Sequence, residues 1–274
     1  MKVNGMPDWL EVAKEAAKQA GEELMRHFAH ASLVVRNKSA GGSGTYDLVS
    51  DADLAAERII GEYIRKIYPD HDLLGEESLG HDVDVDHAEH LWIIDPLDGT
   101  NNFAHRIPHF AVSIAYYRRG IPMVAVVHNP ATDQWFSASR GGGAFVGEMR
   151  ACVAPDTDLS TVIVGCGFYY DRGEMMRRTL ATIEEFFSLD IHGIRRFGTA
   201  SLDLCMVGCG QFGGFFEYML SPWDFAAGRL FVEEAGGVVT DGKGQSLPVG
   251  RSSVLASNGR LHDAMLAVTA KHHP

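Results

Sequence analysis

The chain has 274 residues, 46% of them hydrophobic and 22% charged, and a net charge of −12. That length buries a substantial core and fits one large domain or two joined ones. The acid excess, with Lys and Arg scattered, argues against a nucleic-acid-binding face and so against direct nucleic-acid partners; it still allows a substrate phosphate, because a bound divalent cation reverses the local field.

At the N-terminus Glu11, Lys14, Glu15 and Lys18 interrupt any signal-like apolar run. No stretch approaches the roughly 20 apolar residues of a membrane span. The expectation is a cytoplasmic protein without membrane contact. Cys152, Cys166, Cys205 and Cys209 show no disulfide framework and read as buried free thiols. Trp9, Val12, Ala13, Ala16, Ala20, Leu24 and Phe28 recur at helical spacing, which predicts a helix over 8–30 capped by Asp8. Residues 38–46 (KSAGGSGTY) read as a loop or a mobile flap. A second helix is predicted from about Asp51 to Tyr68. "HDLLGEES" then reads as a short strand ending in an acidic turn. Residues 81–90 read as a solvated loop, lacking the spacing and glycine of a calcium loop.

An apolar strand-like run, Leu91–Ile94, ends at Asp95 in "WIIDPLDGTNNF". Residues 110–146 read as antiparallel strands with turns at Arg119-Gly120 and Asn129-Pro130. Gly141–Gly143 lacks the following Lys-Ser/Thr of a phosphate loop and reads as a turn. After about 155 strands and helices alternate. Helices are predicted near 172–187, 199–207, 224–235 and at the end, and strands in "TVIVGCGF", near 194–197, and in "GGFFEYM", "GGVVTD" and "SVLAS". The predicted halves are 1–153 and 154–274.

Four segments put carboxylates at the ends of apolar elements: Asp47, Asp51 and Asp53; Glu76 and Glu77; Asp95 and Asp98; and Asp224. Singly, each has a bland reading as a helix cap or a solvated turn. Together they form an oxygen-only set that suits a hard cation such as Mg²⁺. Pro96 biases Asp95 toward extended structure and Gly99 permits a tight turn, so Asp98 can swing back toward Asp95. The Leu97 carbonyl and the Thr100 hydroxyl can reach the same centre.

"WIIDPLDGTNNF", with "GEES" upstream and "SPWDFAAG…EEAGG" downstream, resembles the inositol monophosphatase family of Mg²⁺-dependent, Li⁺-sensitive phosphatases, and looks most like its bacterial inositol-1-phosphatase branch. The resemblance covers nearly the whole chain. It implies a layered αβαβα sugar-phosphatase-like fold of the α+β or α/β class, with an antiparallel-sheet N-terminal half and a mixed α/β C-terminal half. The N-terminal half would carry most metal ligands and the C-terminal half Asp224 and the substrate contacts.

The resemblance further implies two or three Mg²⁺ per active site. Glu76, Asp95, the Leu97 carbonyl and Thr100 match the ligands of the activating metal, and Asp95, Asp98 and Asp224 those of the second; a third, weaker metal would use Glu76 mainly through water. Asp53 matches the acid that pairs with Thr100, and Asp47 a further acid beside the metals. The amides of Gly99 and Thr100 match phosphate contacts, with Asp98 alongside. Gly198, Thr199 and Ala200 match the loop touching the substrate alcohol, and Glu217 a residue that bonds sugar or inositol hydroxyls. A lysine usual before the "DLVS" motif is displaced here, leaving Arg36 or Lys38 for its role. The implied substrate is inositol-1-phosphate or another small phosphorylated polyol or sugar. The alternatives are fructose-1,6-bisphosphate, NADP, histidinol phosphate or a 3′-phosphonucleotide. A homodimer is implied too. Bacterial relatives are associated with the transcription machinery, so the rival reading is a scaffold protein.

The chemistry expected is in-line attack by a metal-activated water, without a covalent intermediate, between two cations roughly 3.5–4 Å apart. Thr100, held by Asp53, would orient the water or accept its proton. An aspartyl-phosphate route through Asp95 or Asp98 is the mechanistic rival.

Overall fold

The computed structural model describes residues 8–29, 35–37, 48–80 and 83–274. The loop expected at 38–46, Lys38, Asp47 and the side chain of Arg36 lie outside the described residues, as do residues 81–82. The helical period of the first segment becomes α1 (Trp9–Ala29), with the Asp8 carboxylate accepting from the Leu10 N–H at 3.1 Å. Two short strands, β1 (Val35–Asn37) and β2 (Leu48–Ser50), pair antiparallel and lead into α2 (Asp51–Ile67).

Seven strands then form one sheet in sequence order: β3 (Asp72–Gly75), β4 (His90–Asp98), β5 (Ala111–Arg118), β6 (Ile121–Asn129), β7 (Gln134–Ser139), β8 (Gly143–Val146) and β9 (Met149–Arg150). Only β3 and β4 run parallel; the other neighbours are antiparallel. A short helix, α3 (Thr100–Ala104), follows β4. The later residues give β10 (Ile163–Cys166), α4 (Glu174–Ser188), β11 (Gly193–Arg195), α5 (Ala200–Gly208), β12 (Gly214–Leu220), α6 (Pro222–Glu234), β13 (Val238–Thr240), β14 (Ser252–Ser257) and α7 (His262–His272). Their sheet has the order β11-β10-β12-β14-β13 and is mixed, parallel around β10 and antiparallel around β14.

Side-chain alternation sorts these elements into layers. Along β4, Trp92 and Ile94 point into one apolar cluster with α1 and α2, while Leu91 and Ile93 point into another with α5 and α6. The second sheet repeats the device. Phe215, Val254 and Ala256 meet Leu204 of α5 and Val232 of α6, whereas Phe216, Tyr218 and Leu255 meet Phe186 of α4 and Met265 of α7. The stack is therefore α1/α2, seven-stranded sheet, α5/α6, five-stranded sheet, α4/α7, the five-layered mixed α/β arrangement that the resemblance implies.

Three details differ from the expectations. The apolar run does not stop at Asp95, because β4 continues to Asp98 across a register shift opposite Ser113 and Ala111 of β5. Helix α6 starts at Pro222 rather than near Asp224. Ser221 precedes it, and Asp224 sits in the first turn, its carboxylate accepting from the Ser221 N–H at 2.7 Å. Among the cysteines, Cys166 and Cys205 are buried but Cys152 is exposed.

Phe231 of α6 is fully buried and meets Phe136 of β7 edge-on, with ring centroids 5.7 Å apart. Phe231→Ala is expected to cost about 3–5 kcal/mol of stability, read from denaturant unfolding.

Candidate active site

The site grows from an irregularity in β4. Between Asp95 and Asp98 one extra residue is fitted against β5. Pro96 falls in this stretch, where a missing ladder donor is tolerated. The Asp95 carboxylate folds over it to accept from the Leu97 N–H at 3.1 Å. Gly99 follows with φ +96°, and a Cβ there would come within 2.5 Å of the Thr199 methyl. Only glycine meets both demands. Thr100 opens α3, and its hydroxyl donates to the Leu97 carbonyl at 3.2 Å.

Carboxylates from three elements converge on this bend. Glu76 comes from the end of β3 and Asp224 from the first turn of α6. With Asp98 they line one cavity of about 360 Å³. Asp95 lies beneath, 1% exposed. Burial pushes the Asp95 carboxyl well above the usual carboxylate range, and the charges of Glu76, Asp98, Asp224 and Asp53 push it further. Asp224 is raised by burial and then by Glu76 and Asp98. Asp98 is raised by burial, against the pull of Ser201, whose N–H and hydroxyl donate to Oδ2 at 2.8 and 2.6 Å. Such a cluster favours a cation among its members.

Gly198, Ala200, Asp203, Arg196 and Glu217 line the same cavity. Burial lifts Glu217 from its ordinary 4.5 to about 8, with Arg196 opposing and Asp98 adding to the rise.

The sequence model of the Inositol monophosphatase family matches residues 6–274. The chain belongs to the inositol monophosphatase family. It is 41% identical to the inositol-1-monophosphatase of Rhizobium meliloti (strain 1021), over 97% of each chain. It is 39% identical to the putative Nus factor SuhB of Neisseria meningitidis serogroup B, over 97% of this chain and all of that one. Among solved structures, the extragenic suppressor protein SuhB of Bartonella henselae superposes with a TM-score of 0.86 at 37% identity, over 95% of this chain and 98% of that one. The chain is thus an inositol-monophosphatase-like phosphoric monoester hydrolase.

Of the residues expected at the site, Glu76, Asp98, Asp224, Gly198, Ala200 and Glu217 line one cavity. Asp95 and Asp53 are buried behind it and coupled to it by charge. Leu97 and Thr100 are joined by their hydrogen bond, and Thr199 is buried against Gly99. Asp47 lies outside the described residues. Among the described residues, no three Asp, Glu, His or Cys side chains close into a ready-made metal cluster. Asp98, Asp224 and Asp95 are each turned to a local donor instead.

Three supporting residues escaped the sequence reading. Ser201, which holds Asp98, directly follows Gly198, Thr199 and Ala200 in the chain. Asn102 ties the bend to the 197–199 loop, donating from Nδ2 to the His109 and Phe197 carbonyls at 2.8 and 2.9 Å. Its only signal was its place beside Gly99-Thr100. Asp203 is 1% exposed, and its Oδ1 has no hydrogen-bond partner. As a lone acid inside a predicted helix it gave no sign of facing the cavity.

Between about pH 4.5 and 8 the folded chain keeps a proton on Glu217 that the unfolded chain has released, so stability falls as pH rises through that window. Glu217→Gln is expected to remove this part of the decline, a slope of at most about 1.4 kcal/mol per pH unit. Denaturant unfolding of both forms in chelator reads the difference; parallel curves would contradict it.

Proposed function

We propose that the chain is a Mg²⁺-dependent phosphomonoesterase acting on inositol-1-phosphate or a related small polyol or sugar phosphate. The observation that carries the reading is the convergence of Glu76, Asp95, Asp98 and Asp224 at the bend of β4, each of the three aspartates raised by burial and then by its neighbours, beside a cavity sized for a small molecule. The donors are all oxygen, which fits a hard divalent cation and not zinc. Glu76, Asp95, Asp98, Asp224, the Leu97 carbonyl and Thr100 would hold it. When bound, Mg²⁺ lowers the pKa of a water and neutralises charge on the phosphate and the leaving oxygen.

The chain's own groups supply the rest. Thr100 gives its proton to the Leu97 carbonyl, which leaves the hydroxyl oxygen as an acceptor able to orient an attacking water. Asp53, fully buried on α2, adds negative field behind the bend. The amides of Gly99 and Thr100 would take the phosphate. Glu217, Ala200 and Gly198 would hold the alcohol, and a buried acid such as Glu217 selects hydroxyl groups over apolar ones. Asp98 is engaged by Ser201 and Asp95 is buried, which supports water rather than a carboxylate as the nucleophile. The Neisseria relative is named a putative Nus factor, which favours a second role in transcription complexes, compatible with an intact site.

The test is phosphate release from inositol-1-phosphate, fructose-1,6-bisphosphate, NADP and histidinol phosphate, with Mg²⁺, with EDTA and with added Li⁺. Release is expected to need Mg²⁺, to fall with Li⁺, and to drop about 100-fold or more in Asp98→Asn. Metal-independent release, or an active Asp98→Asn, would overturn the reading. Equal turnover of all four substrates would remove the assignment to a dedicated polyol phosphatase.

A further inference from the structure

The buried face of α2 carries Ala52, Asp53, Ala56, Glu57, Ile60 and Ile64. Two of these are acids one turn apart, where the helical period calls for apolar groups. Asp53 acts on Asp95 through its charge. Glu57 has a different task. It is 0% exposed. Its Oε1 accepts from the Glu77 N–H at 2.9 Å, and its Oε2 accepts from the Ser78 N–H at 2.8 Å and the Ser78 hydroxyl at 2.5 Å. A buried carboxylate is tolerated only when its oxygens are bonded. Here the donors all belong to the turn that follows Glu76.

That turn needs a clamp. β3 is the edge strand of its sheet, held by β4 on one side only. In the parallel register Gly75 lies beside Ile94, so Glu76 is the first residue past the pairing and reaches the level of Asp95. Glu76 also lines the same cavity as Asp98 and Asp224. β3, paired on one side only, does little by itself to hold a carboxylate beside other carboxylates. The loop closes on itself through the Gly75 N–H to the Leu79 carbonyl at 3.0 Å, and Glu57 anchors it to the helix. Gly75 shows how close the approach is, because a Cβ there would collide with the Glu57 carboxylate.

We propose that Glu57 is a positioning residue for Glu76: its carboxylate fixes the turn that carries this acid, and so sets how tightly the site takes a divalent cation. The inference rests on the metal-dependent reading above. A residue that only filled the core would affect stability alone. A clamp on one ligand changes cation affinity in the folded protein as well.

The experiment uses the full chain without substrate, with Mn²⁺ as the probe, and measures its dissociation constant by electron paramagnetic resonance for wild type, Glu57→Gln and Ile60→Val. Glu57→Gln keeps the shape but turns one acceptor into a donor facing an N–H. It is expected to weaken Mn²⁺ binding about tenfold or more. The Mg²⁺ concentration for half-maximal phosphate release is expected to rise in parallel. Ile60→Val, a neighbouring cut in the same helix face, is expected to lower the melting temperature and leave Mn²⁺ binding unchanged. Gly75→Ala displaces the carboxylate without removing it and is expected to behave like Glu57→Gln; it serves if that variant does not fold. Wild-type affinity in whichever variant folds would overturn the positioning role and leave the metal reading standing. A wild-type protein that binds no Mn²⁺ would overturn both.

Discussion

Mutual repulsion among carboxylates is the constraint on which the site depends. Glu76, Asp95, Asp98 and Asp224 come from the ends of two strands and the start of a helix, and three of them hold protons more tightly because they are buried and because the others are near. Left to electrostatics they would separate. The fold keeps them together with neutral donors of its own: the Leu97 N–H for Asp95, Ser201 for Asp98 and the Ser221 N–H for Asp224. Each donor sits next to its acid or on a helix start that abuts it, so the acids keep their stations. Stored repulsion of this kind favours binding of a cation over a neutral ligand.

The layered architecture is what brings the three elements to one place. β4 is the second strand of the seven-stranded sheet, covered by α1 and α2 on one face and by α5 and α6 on the other. α6 delivers Asp224 from its first turn, and the start of α5 delivers Ala200 and Ser201. The second sheet supplies Glu217 from β12. Glu76 and Asp98 of the first sheet and Glu217 of the second therefore reach one cavity from opposite sides of the same pair of helices.

Much of this was legible in the sequence because the signals were local. "WIIDPLDGT" contains the strand, the proline at its bulge and the glycine that the left-handed turn requires, and the helical period of α1 is unbroken. The errors were local too. The run was read as ending at Asp95 because strand patterns carry no marker for a bulge that lets pairing resume at Asp98. The helix predicted near 224–235 opens two residues earlier, because Pro222 can occupy a first helical position, where its missing N–H costs nothing. What sequence could not supply was pairing at a distance. Ser201 and Asp98 are 103 positions apart, and Asn102 and Phe197 are 95. Likewise His71 and His90 stack with ring centroids 4.3 Å apart although nothing in either neighbourhood points to the other. Glu57 left a trace, an acid on the apolar face of a helix one turn after Asp53.

The central α5/α6 layer has a consequence for how the polypeptide tolerates cutting. Its two helices close the apolar underside of the first sheet, where Ala111, Ala115, Ala125 and Val127 are buried, and also the inner face of the second, where Phe215, Val254 and Ala256 are buried. A fragment ending near the last strand of the first sheet would carry that underside bare, as one broad, nearly flat sticky surface. Such a fragment has only self-association to cover it. Premature termination between the sheets thus yields an aggregation-prone remnant rather than a smaller working protein.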